Sequence, residues 1–490
     1  MPPPTANRGS KVRCHPSWTQ IGPNTYTQPY GFQEVLYNAI SVEPGLPGLF
    51  LLGSSVTFTY TPSNPNAKSS SASLIPLLRN AWLQMRQRHP TLAVENLPNG
   101  KVYTCPSSPA ELEVWLNATF VVAPGKTWEQ TYGKMVKTSQ MTMYYCPEAG
   151  QLFIQSEHHT LDGRGIMNFW HQFFEALVSP AELEHLFKTD GSEISRLPPR
   201  SDDLLDMAEK EVGRGEQRAL ELVAPLSAIT APICIPVAEP LPPPSPHNTA
   251  RELRVSARTT ESIVTACKAQ RLSVTAAWHT AVVLATQSIQ AKRNTITATA
   301  QAPAAAQGSH FASFGNFDLR RYFPLDPDNP EAYTLSNHHI VLPYVVAPNG
   351  SSFAQVARDL GSFYQQDIIK SDPDVWSALG PMIRMFVPEF TREQLVETTP
   401  ALSSLGVVDS FIASLYTGQD GSRWHVKDPW FGNTVTGPWL EHFMWSWQGR
   451  LLLNSCCNPA YYMPAEADEF NETVLQKLVE GLGIQAESKL

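Results

Sequence analysis

The stretch SEHHTLDGRG, residues 156–165, places two adjacent histidines, one aspartate and two glycines within ten residues. A predicted strand, QLFIQSEHH (151–159), runs into it, and the preceding MTMYYC and PEAG predict that this strand belongs to a hairpin. A predicted amphipathic helix follows at once, with a broad apolar face formed by Ile166, Phe169, Trp170, Phe173, Phe174 and Leu177. The stretch is therefore predicted to be a strand-to-helix junction.

The junction contains the pattern H-x-x-x-D-G, formed by His158, Asp162 and Gly163. The unperturbed pKa of an imidazole lies near neutrality, so a histidine can take a proton and return it within one catalytic cycle. A nearby carboxylate can fix the imidazole tautomer or hold the loop, and glycines let the backbone turn sharply. The residues alone leave a second interpretation open, a polar turn in which Asp162 caps the helix and both histidines face water.

The bulk composition restricts the class of protein. A chain of 490 residues exceeds what one hydrophobic core normally organises, so two domains are expected. With 42% apolar and 17% charged residues the chain is predicted to be globular and soluble. A net charge of -9 without a long basic run argues against a nucleic-acid partner.

No targeting or membrane signal is visible in the sequence. No apolar run approaches the roughly 20 residues of a membrane helix, and the N-terminal MPPPTANRGSKVRC lacks the apolar stretch of a signal peptide. Seven scattered cysteines without a C-x-x-C pair suit free thiols in a reducing compartment. A cytoplasmic protein without membrane contacts is therefore expected.

The clearest change of composition is APICIPVAEPLPPPSPHNTA, residues 231–250, in which repeated prolines forbid helix and favour an extended linker. The linker separates a predicted N-terminal domain, 1–230, which carries the H-x-x-x-D-G pattern, from a predicted C-terminal domain, 251–490. In the first domain SLIPLLRNAWLQMRQRHPTL predicts a helix that Pro90 stops, with Leu74, Leu77, Leu78, Ala81 and Met85 at helical spacing.

The second half mixes helical and extended patterns. The segments TTESIVTACKAQ and SVTAAWHTAVVLATQSI predict helices, whereas NTITATAQAP (294–303) is predicted to be extended. Further on, ALSSLGVVDSFI, SRWHVKDPWFG and LEHFMWSWQGRLLLNSCCN predict a strand-rich run of a large sheet. The predicted fold class is therefore α/β, with two domains, each a mixed sheet covered by helices, packed across one interface.

Several segments together resemble a known superfamily. They are the H-x-x-x-D-G pattern, LLRNAWLQMRQRHPTL, RLSVTAAWHTAVVLA and the late SSLG…W…WFG. The combination is similar to the acyltransferases related to chloramphenicol acetyltransferase, which include BAHD acyltransferases and condensation domains of nonribosomal peptide synthetases. Within that group the chain most resembles fungal alcohol O-acetyltransferases of the trichothecene 15-O-acetyltransferase type. The resemblance implies two similar domains with a channel at their interface, which acyl-CoA enters from one face and the acceptor from the other.

The resemblance also implies roles for residues of the opening stretch. His158 would be the base at mid-channel, whereas His159, at the first variable position of the pattern, is a weaker candidate for contacting substrate. Asp162 would point away from the reacting atoms and pair with an arginine, with Arg293 and Arg320 as the candidates. Gly163 completes the pattern.

Three further site residues follow from weaker similarities. LSSLG is similar to a T-S-W segment of BAHD enzymes, which would make Ser403 an oxyanion donor, although Leu405 replaces the tryptophan and a structural serine is the alternative. SFGN (313–316) resembles a Y-F-G-N segment, which would place Asn316 on the channel wall. His425 could reach the channel or face solvent from a strand.

Two other histidine positions carry simpler expectations. His279 lies in an apolar helix and is predicted to be a packed core residue. His338 and His339 are adjacent in sequence, and no carboxylate or cysteine stands at ligand spacing, so no metal site is expected.

These features predict an acyl-CoA-dependent O-acyltransferase, with acetyl as the expected acyl group and a hydroxyl of a small secondary metabolite as acceptor. His158 would remove the acceptor proton and later return it to the CoA sulfur. Acyl-CoA would be a co-substrate rather than a bound cofactor, and one chain is expected to form the site as a monomer. Two alternatives stay open: an amide-forming or cyclising condensation-type enzyme that uses a carrier-bound thioester or no CoA, and a non-catalytic binding relative.

Overall fold

The computed structural model describes residues 17–485 apart from 41–47, 65–70, 183–188, 206–212, 231, 239, 299–307, 325–332, 368–371, 373 and 390–397. The helices of this part, labelled α1 to α12 in chain order, are Phe32–Ile40, Ser71–Arg88, Pro109–Thr119, Trp128–Tyr132, Gly163–Val178, Ser201–Leu204, Arg214–Ser227, Ala257–Ala269, Val274–Ala298, Phe353–Gln365, Val375–Glu389 and Pro464–Gly481. The strands, β1 to β16, are Thr19–Gln20, Thr25–Gln28, Leu52–Thr61, Glu95–Leu97, Gly100–Thr104, Phe120–Val122, Thr142–Cys146, Gln151–Ser156, Thr249–Arg254, Phe311–Asp318, His339–Val346, Ala401–Val407, Leu415–Thr417, Arg423–Asn433, Glu441–Trp447 and Arg450–Cys457.

The predicted hairpin and junction are confirmed. Strands β7 and β8 pair antiparallel with Cys146 opposite Gln151, and α5 begins at Gly163. Asp162 is the N-cap of α5, and its side chain accepts a hydrogen bond of 2.7 Å from the backbone N of Gly165. The apolar face of α5 is buried as predicted, which fixes the helix against the sheet and holds the junction in place.

The predicted helix before Pro90 is also confirmed as α2, which ends at Arg88. Its buried residues include Leu74, Leu78, Ala81 and Met85. Leu77, expected on the same face, is 39% exposed and does not contribute to the core.

The prediction of an extended segment at 294–303 is wrong as far as the structure describes it, because α9 continues to Ala298. The segment is rich in threonine, which disfavours helix by only a few tenths of a kcal/mol per residue. Adding a residue to an existing helix gains a hydrogen bond without a new nucleation cost, so the long helix extends through it. Residues 299–303 lie outside the described part.

Two large mixed sheets organise the molecule. The first has six strands in the order β13, β14, β3, β8, β7, β6, and the second has four in the order β12, β15, β16, β9. Most pairs are antiparallel, while β6 with β7 and β12 with β15 are parallel. A four-stranded sheet, β1, β2, β5, β4, and the pair β10 with β11 complete the strands. The α/β fold class is thereby confirmed.

The six-stranded sheet combines strands from both halves of the sequence. Strand β14 pairs antiparallel with β3 from Arg423 opposite Thr61 to Asn433 opposite Leu52. The sheet that contains β8 and leads into His158 is therefore completed by a strand that follows the proline-rich segment. The division at 231–250 stays a prediction, and β9 begins at Thr249, inside the predicted linker.

Two large hydrophobic cores follow from this arrangement, and smaller clusters accompany them. The first packs α2 and α5 on the six-stranded sheet and contains Trp82, Trp170 and Trp424. The second surrounds α9 and α12 and contains Trp278 and Phe470. The described cysteines are all free, and Cys14 lies outside the described residues. Within the described ranges, no helix has the length and apolar character required to cross a bilayer.

Candidate active site

His158 lies in the turn between β8 and α5, and its ring stacks on Tyr37 of α1. The two ring centroids are 4.0 Å apart and the planes differ by 5°. The ring of His339, the first residue of β11, lies with its centroid 5.1 Å from that of His158. Residues from three distant segments thus hold one imidazole.

A chain of hydrogen bonds connects these three segments. The Tyr37 hydroxyl lies 2.8 Å from Nε2 of His339, and Nδ1 of His339 lies 2.8 Å from Oδ1 of Asn337. The side-chain amide of Asn337 then donates to the backbone oxygen of His158 over 2.8 Å. Because Oδ1 of Asn337 can only accept, Nδ1 of His339 carries the proton and Nε2 accepts from the Tyr37 hydroxyl. This chain fixes the ring that faces His158 and the backbone that carries it.

The environment of His158 favours its neutral form. Burial, together with nearby His339, lowers the pKa of the imidazole to about 3, although its own backbone carbonyl and Asp162 act in the opposite direction. Nδ1 is buried, and the carbonyl of His158 itself is the one acceptor that it meets among the described residues. The imidazole is therefore uncharged near neutral pH and can accept a proton.

Asp162 accepts hydrogen bonds from Arg320 and from two backbone N–H groups. Arg320 donates from Nη1 to Oδ2 over 2.9 Å and from Nη2 to Oδ1 over 3.1 Å. The backbone N of His338 adds a hydrogen bond of 2.8 Å to Oδ2. Burial alone would raise the pKa of Asp162, but the charge and hydrogen bonds of Arg320 hold it well below its ordinary value. Arg293, the other candidate, binds Glu466 instead, at 2.7 Å.

A cavity of about 440 Å³ lies against His158. Both halves of the chain contribute to its walls. His158 and Gly163 come from the N-terminal half, and Asn316, Ser403 and Glu441 come from the C-terminal half. Asn316 spans two strands, since its side-chain amide donates to the backbone oxygen of Leu402 over 2.9 Å.

Strand β12 closely approaches the turn between β8 and α5 at Gly163. A Cβ atom at this position would lie 2.6 Å from Cδ2 of Leu405, so a side chain there requires Leu405 to move. Ser403, two residues earlier on β12, lines the cavity. The pattern's glycine therefore lets the strand that carries Ser403 pack beside the start of α5.

Comparison with known proteins adds a fold and an enzyme class. No protein-family profile matches the chain. Acetyltransferase pigO of Monascus ruber is 25% identical over 479 residues, which cover 96% of this chain and 98% of the relative. O-acetyltransferase pigM of Monascus ruber is 24% identical over 460 residues, or 91% and 83%. A third relative, named Loline biosynthesis cluster 1 transcription factor lolU1, of Epichloe uncinata, is 26% identical over 447 residues, or 84% and 86%.

Among solved structures, a trichothecene 15-O-acetyltransferase from Fusarium sporotrichioides superposes with a TM-score of 0.74 at 16% identity, covering 95% of this chain and 98% of that one. The first condensation domain of the calcium-dependent antibiotic synthetase gives 0.58 at 12% identity, covering 93% and 95%. The protein is an acyltransferase with this two-lobed, chloramphenicol acetyltransferase-like fold.

Two of the predicted site residues do not reach the cavity of the acyltransferase. His159 is only 2% exposed, packs 4.9 Å from the ring of Tyr30 between centroids, and does not line the cavity. Burial lowers its pKa to about 3, and both its ring nitrogens have no partner among the described residues. His425 lies within β14, opposite Thr59 of β3 and Leu415 of β13, and is also absent from the cavity wall. On sequence grounds His159 is a weaker candidate for contacting substrate and His425 could reach the channel or face solvent, and neither residue lines this cavity.

Among the cavity residues to which the sequence-based prediction gave no role, three stand out by their contacts or chemistry. Tyr37 and His339 contact the His158 ring, and Glu441 places a buried carboxyl on the wall. Of these three residues, the sequence drew attention only to His339, as a member of a histidine pair. Within the described ranges, no cluster of side chains suits a metal ion. The other pair member, His338, binds Ser201 through Nδ1 at 2.9 Å. The expected core histidine, His279, is confirmed, fully buried between Tyr364 and Ser313.

Proposed function

We propose that the protein is an acyl-CoA-dependent O-acyltransferase that transfers an acetyl group to a hydroxyl of a small secondary metabolite. The observation that carries this proposal is a neutral imidazole, His158, held against Tyr37 at the wall of a cavity formed by both halves of the chain. A neutral imidazole at such a wall suits general base catalysis. The names of the relatives pigO and pigM support acetyl as the acyl group.

In the proposed reaction His158 removes the proton from the acceptor hydroxyl as its oxygen attacks the thioester carbonyl. Because Nδ1 is buried, Nε2 is assigned as the nitrogen that receives this proton. The C–S bond then breaks, and His158 returns the proton to the departing sulfur, which leaves an ester and free CoA. Ser403 is the proposed donor to the tetrahedral oxyanion, a type of contribution often worth about 3–4 kcal/mol.

Asp162 is proposed to act on structure rather than on the reacting atoms. Its two carboxylate oxygens are occupied by Arg320, the backbone of Gly165 and the backbone of His338. Together these contacts connect the start of α5 to the segment before β11, which carries His339. Asp162 therefore fixes the position of His158 relative to its neighbouring ring.

We further propose that the enzyme is a monomer in the cytoplasm, without membrane or nucleic-acid partners. The name of one relative, lolU1, refers to a transcription factor. The net charge of -9 weighs against that role here, because binding to nucleic acid relies on positive charge.

The test is CoA release from acetyl-CoA with a panel of hydroxylated small molecules, together with calorimetric binding of acetyl-CoA. His158→Ala should lower kcat by about 10²–10⁴-fold while acetyl-CoA binding and melting temperature change little. His425→Ala is the matched control, because this histidine does not line the cavity, and its turnover should stay within about twofold of the wild type.

The remaining outcomes separate the alternatives. Turnover only with a carrier-bound thioester would favour the condensation-type enzyme, whose fold is shared. Ligand binding without turnover of any donor would favour a non-catalytic relative. Full turnover by His158→Ala would contradict the proposed base.

A further inference from the structure

Glu441 places a carboxyl group on the wall of the cavity that contains His158. It is the first residue of β15, between Ala401 of β12 and Cys456 of β16 in the register of the sheet. The residue is 7% exposed, and its Oε2 is buried with no hydrogen-bond partner among the described residues. A buried polar atom without a partner costs free energy, so this oxygen suggests a missing partner.

Asn433 places a second such oxygen beside it. This residue ends β14, opposite Leu52 of β3, and also lines the cavity. It is 4% exposed, and its Oδ1 finds no partner in the described part of the chain. The side chain of Asn433 also forms a hydrogen bond with Glu441. The two residues are therefore coupled, and each keeps one unsatisfied oxygen.

The surroundings of this pair are apolar. Phe50, Leu52, Phe431 and Trp439 line the same cavity, and Trp439 lies with its ring centroid 6.4 Å from that of Phe50. A polar pair in such a wall contributes little to packing but can orient a ligand that carries matching polar groups.

The carboxyl group of Glu441 is a proton donor near neutral pH. Burial raises its pKa to about 8, and only the hydrogen bond from Asn433 opposes this rise. Its ionisable neighbours are Cys456 of β16, Tyr132 of α4 and Tyr37 of α1, whose pKa values are themselves raised, mainly by burial. None of these groups is a cation, so the protonated acid persists and can donate from its O–H.

We propose that Glu441 and Asn433 form a subsite for an uncharged group that accepts one hydrogen bond and donates another, as a hydroxyl or a secondary amide does. The acid O–H donates to that group, and Oδ1 of Asn433 accepts from it. The inference rests on the proposed acyl transfer, which supplies two sources for the group. One is a second hydroxyl of the acceptor, and the other is an amide of the pantetheine arm of acyl-CoA.

Strand geometry favours a group at some distance from the reacting hydroxyl. Asn433 pairs with Leu52, which in turn pairs with Ser156, two residues before His158. Neighbouring strands lie about 4.8 Å apart, so Asn433 is roughly 10 Å across the sheet from Ser156. The subsite is therefore expected to orient a molecule whose reacting oxygen lies at His158, rather than to bind the oxyanion.

The experiment measures binding of three probes to the full chain. Cyclohexanol and trans-1,4-cyclohexanediol differ by one hydroxyl and test the acceptor, whereas acetyl-CoA tests the pantetheine arm. The variants are Glu441→Gln, which keeps a neutral donor, Glu441→Met and Asn433→Leu, which remove one partner each, and Glu261→Met on the exposed face of α8 as control. Dissociation constants from calorimetry are measured for each probe, CoA release is followed separately, and melting temperature reports folding. If one of the variants Glu441→Met and Asn433→Leu fails to fold, the other still tests the subsite.

If the subsite binds a second hydroxyl, the wild type binds the diol about tenfold more tightly than cyclohexanol, a difference expected for one good hydrogen bond. Glu441→Met and Asn433→Leu should abolish that preference, while Glu441→Gln and the control retain it. If the subsite binds pantetheine, the same two variants weaken acetyl-CoA binding about tenfold and leave the alcohols unchanged.

The inference is overturned if the folded variants Glu441→Met and Asn433→Leu bind all three probes with the dissociation constants of the wild type. It is equally overturned if the wild type itself neither prefers the diol to cyclohexanol nor binds acetyl-CoA. It is also overturned if Glu441→Gln loses as much as Glu441→Met, because a carboxylate would then be the required form. The proposed function fails separately, when binding shows the expected pattern but no alcohol of the hydroxylated panel releases CoA from acetyl-CoA.

Discussion

At the scale of single residues, the site depends on a buried ion pair whose partners come from distant parts of the chain. Asp162 and Arg320 have side-chain exposures of 4% and 14%. Two charges at this depth stabilise the protein only together, because either one alone keeps its desolvation cost without compensation. The position of α5 therefore depends on the guanidinium group of Arg320, which lies 158 positions further along the chain.

Asp162→Ala is expected to lower the free energy of unfolding by about 3–5 kcal/mol, since the Arg320 guanidinium loses its buried partner and keeps the more exposed carboxylate of Asp318, at 3.1 Å. Urea titration of wild type and variant measures this difference. The double variant Asp162→Leu with Arg320→Met should recover much of the loss, because no charge then remains buried. A variant as stable as the wild type but as inactive as His158→Ala would instead assign Asp162 to the chemistry.

Gly163→Ala tests the close approach of β12. The new Cβ would lie 2.6 Å from Cδ2 of Leu405, so the leucine must change its rotamer or shift. We expect a loss of about 1–3 kcal/mol in the free energy of unfolding, the usual cost of overpacking. In the Leu405→Ala background, Gly163→Ala should cost much less than it does in the wild type, because the leucine that the new Cβ would meet is absent. Additive losses in the double-mutant cycle would mean that the two residues do not contact each other.

The sequence could identify His158 and Asp162 because one short pattern contains both. Gly163, Ser403 and Asn316 also line the cavity, and their roles stay predictions. His159 was misplaced because neighbours in a turn point in different directions. Tyr37 and Glu441 could not be found, since each reaches the site only through the packing of remote elements, and nothing in the local sequence records that packing.

At the scale of elements, local signals predicted local structure. The β7–β8 hairpin, α2 and α5 each have their own periodicity and end signals, such as Pro90 and Asp162. Helix α9 extended beyond its predicted end because weak propensities give way to continued hydrogen bonding. The pairing of β14 with β3 depends on contacts between segments over 360 positions apart, and no local pattern encodes that partner.

Because β14 pairs with β3, we predict that a chain divided after the proline-rich segment gives an N-terminal half that does not fold by itself. A fragment 1–250 lacks β13 and β14, so β3 loses its neighbour and the buried side chains on that side, such as Trp424 and Trp430, are missing from the first core. We expect the fragment to show no cooperative thermal unfolding, while co-expression with 251–490 restores it. Calorimetry of purified fragments decides, and a sharp transition for 1–250 alone would show that the N-terminal half folds independently.

At the scale of the whole molecule, buried neutral histidines set the acid limit of stability. Burial lowers the pKa values of His158, His159, His279 and His442 to about 3, whereas unfolded histidine titrates near 6.5. The unfolded chain therefore binds more protons between these values, so this stabilisation is complete above about pH 6.5 and is lost as pH falls toward 3.

Glu441 acts with the opposite sign and over a different range. Its folded pKa of about 8 lies above the 4.5 of an ordinary glutamate, so its contribution is complete below about pH 4.5 and is lost as pH rises from there to about 8. We expect the urea midpoint to be highest near pH 6.5, to fall steeply below it as the histidines become protonated in the unfolded chain, and to fall gently from there to about pH 8 as Glu441 ionises. Glu441→Gln should remove the gentle fall up to about pH 8 and steepen the fall below about pH 6.5, because the opposing contribution of Glu441 is then absent. Equal midpoints at pH 4.5 and pH 7 would contradict the neutral state of the histidines.

The late arrival of β14 has a consequence for how the protein is made. Ribosomes add about 5–20 residues per second, so β3 waits on the order of 10–50 s after β8 emerges before residues 423–433 can cover its open edge. Throughout that interval a nascent chain exposes a ten-residue strand with buried-type side chains, a template for pairing with other chains. Cellular yield of the enzyme should thus depend on chaperones that shield this edge, and slowing translation between the two strands should increase aggregation.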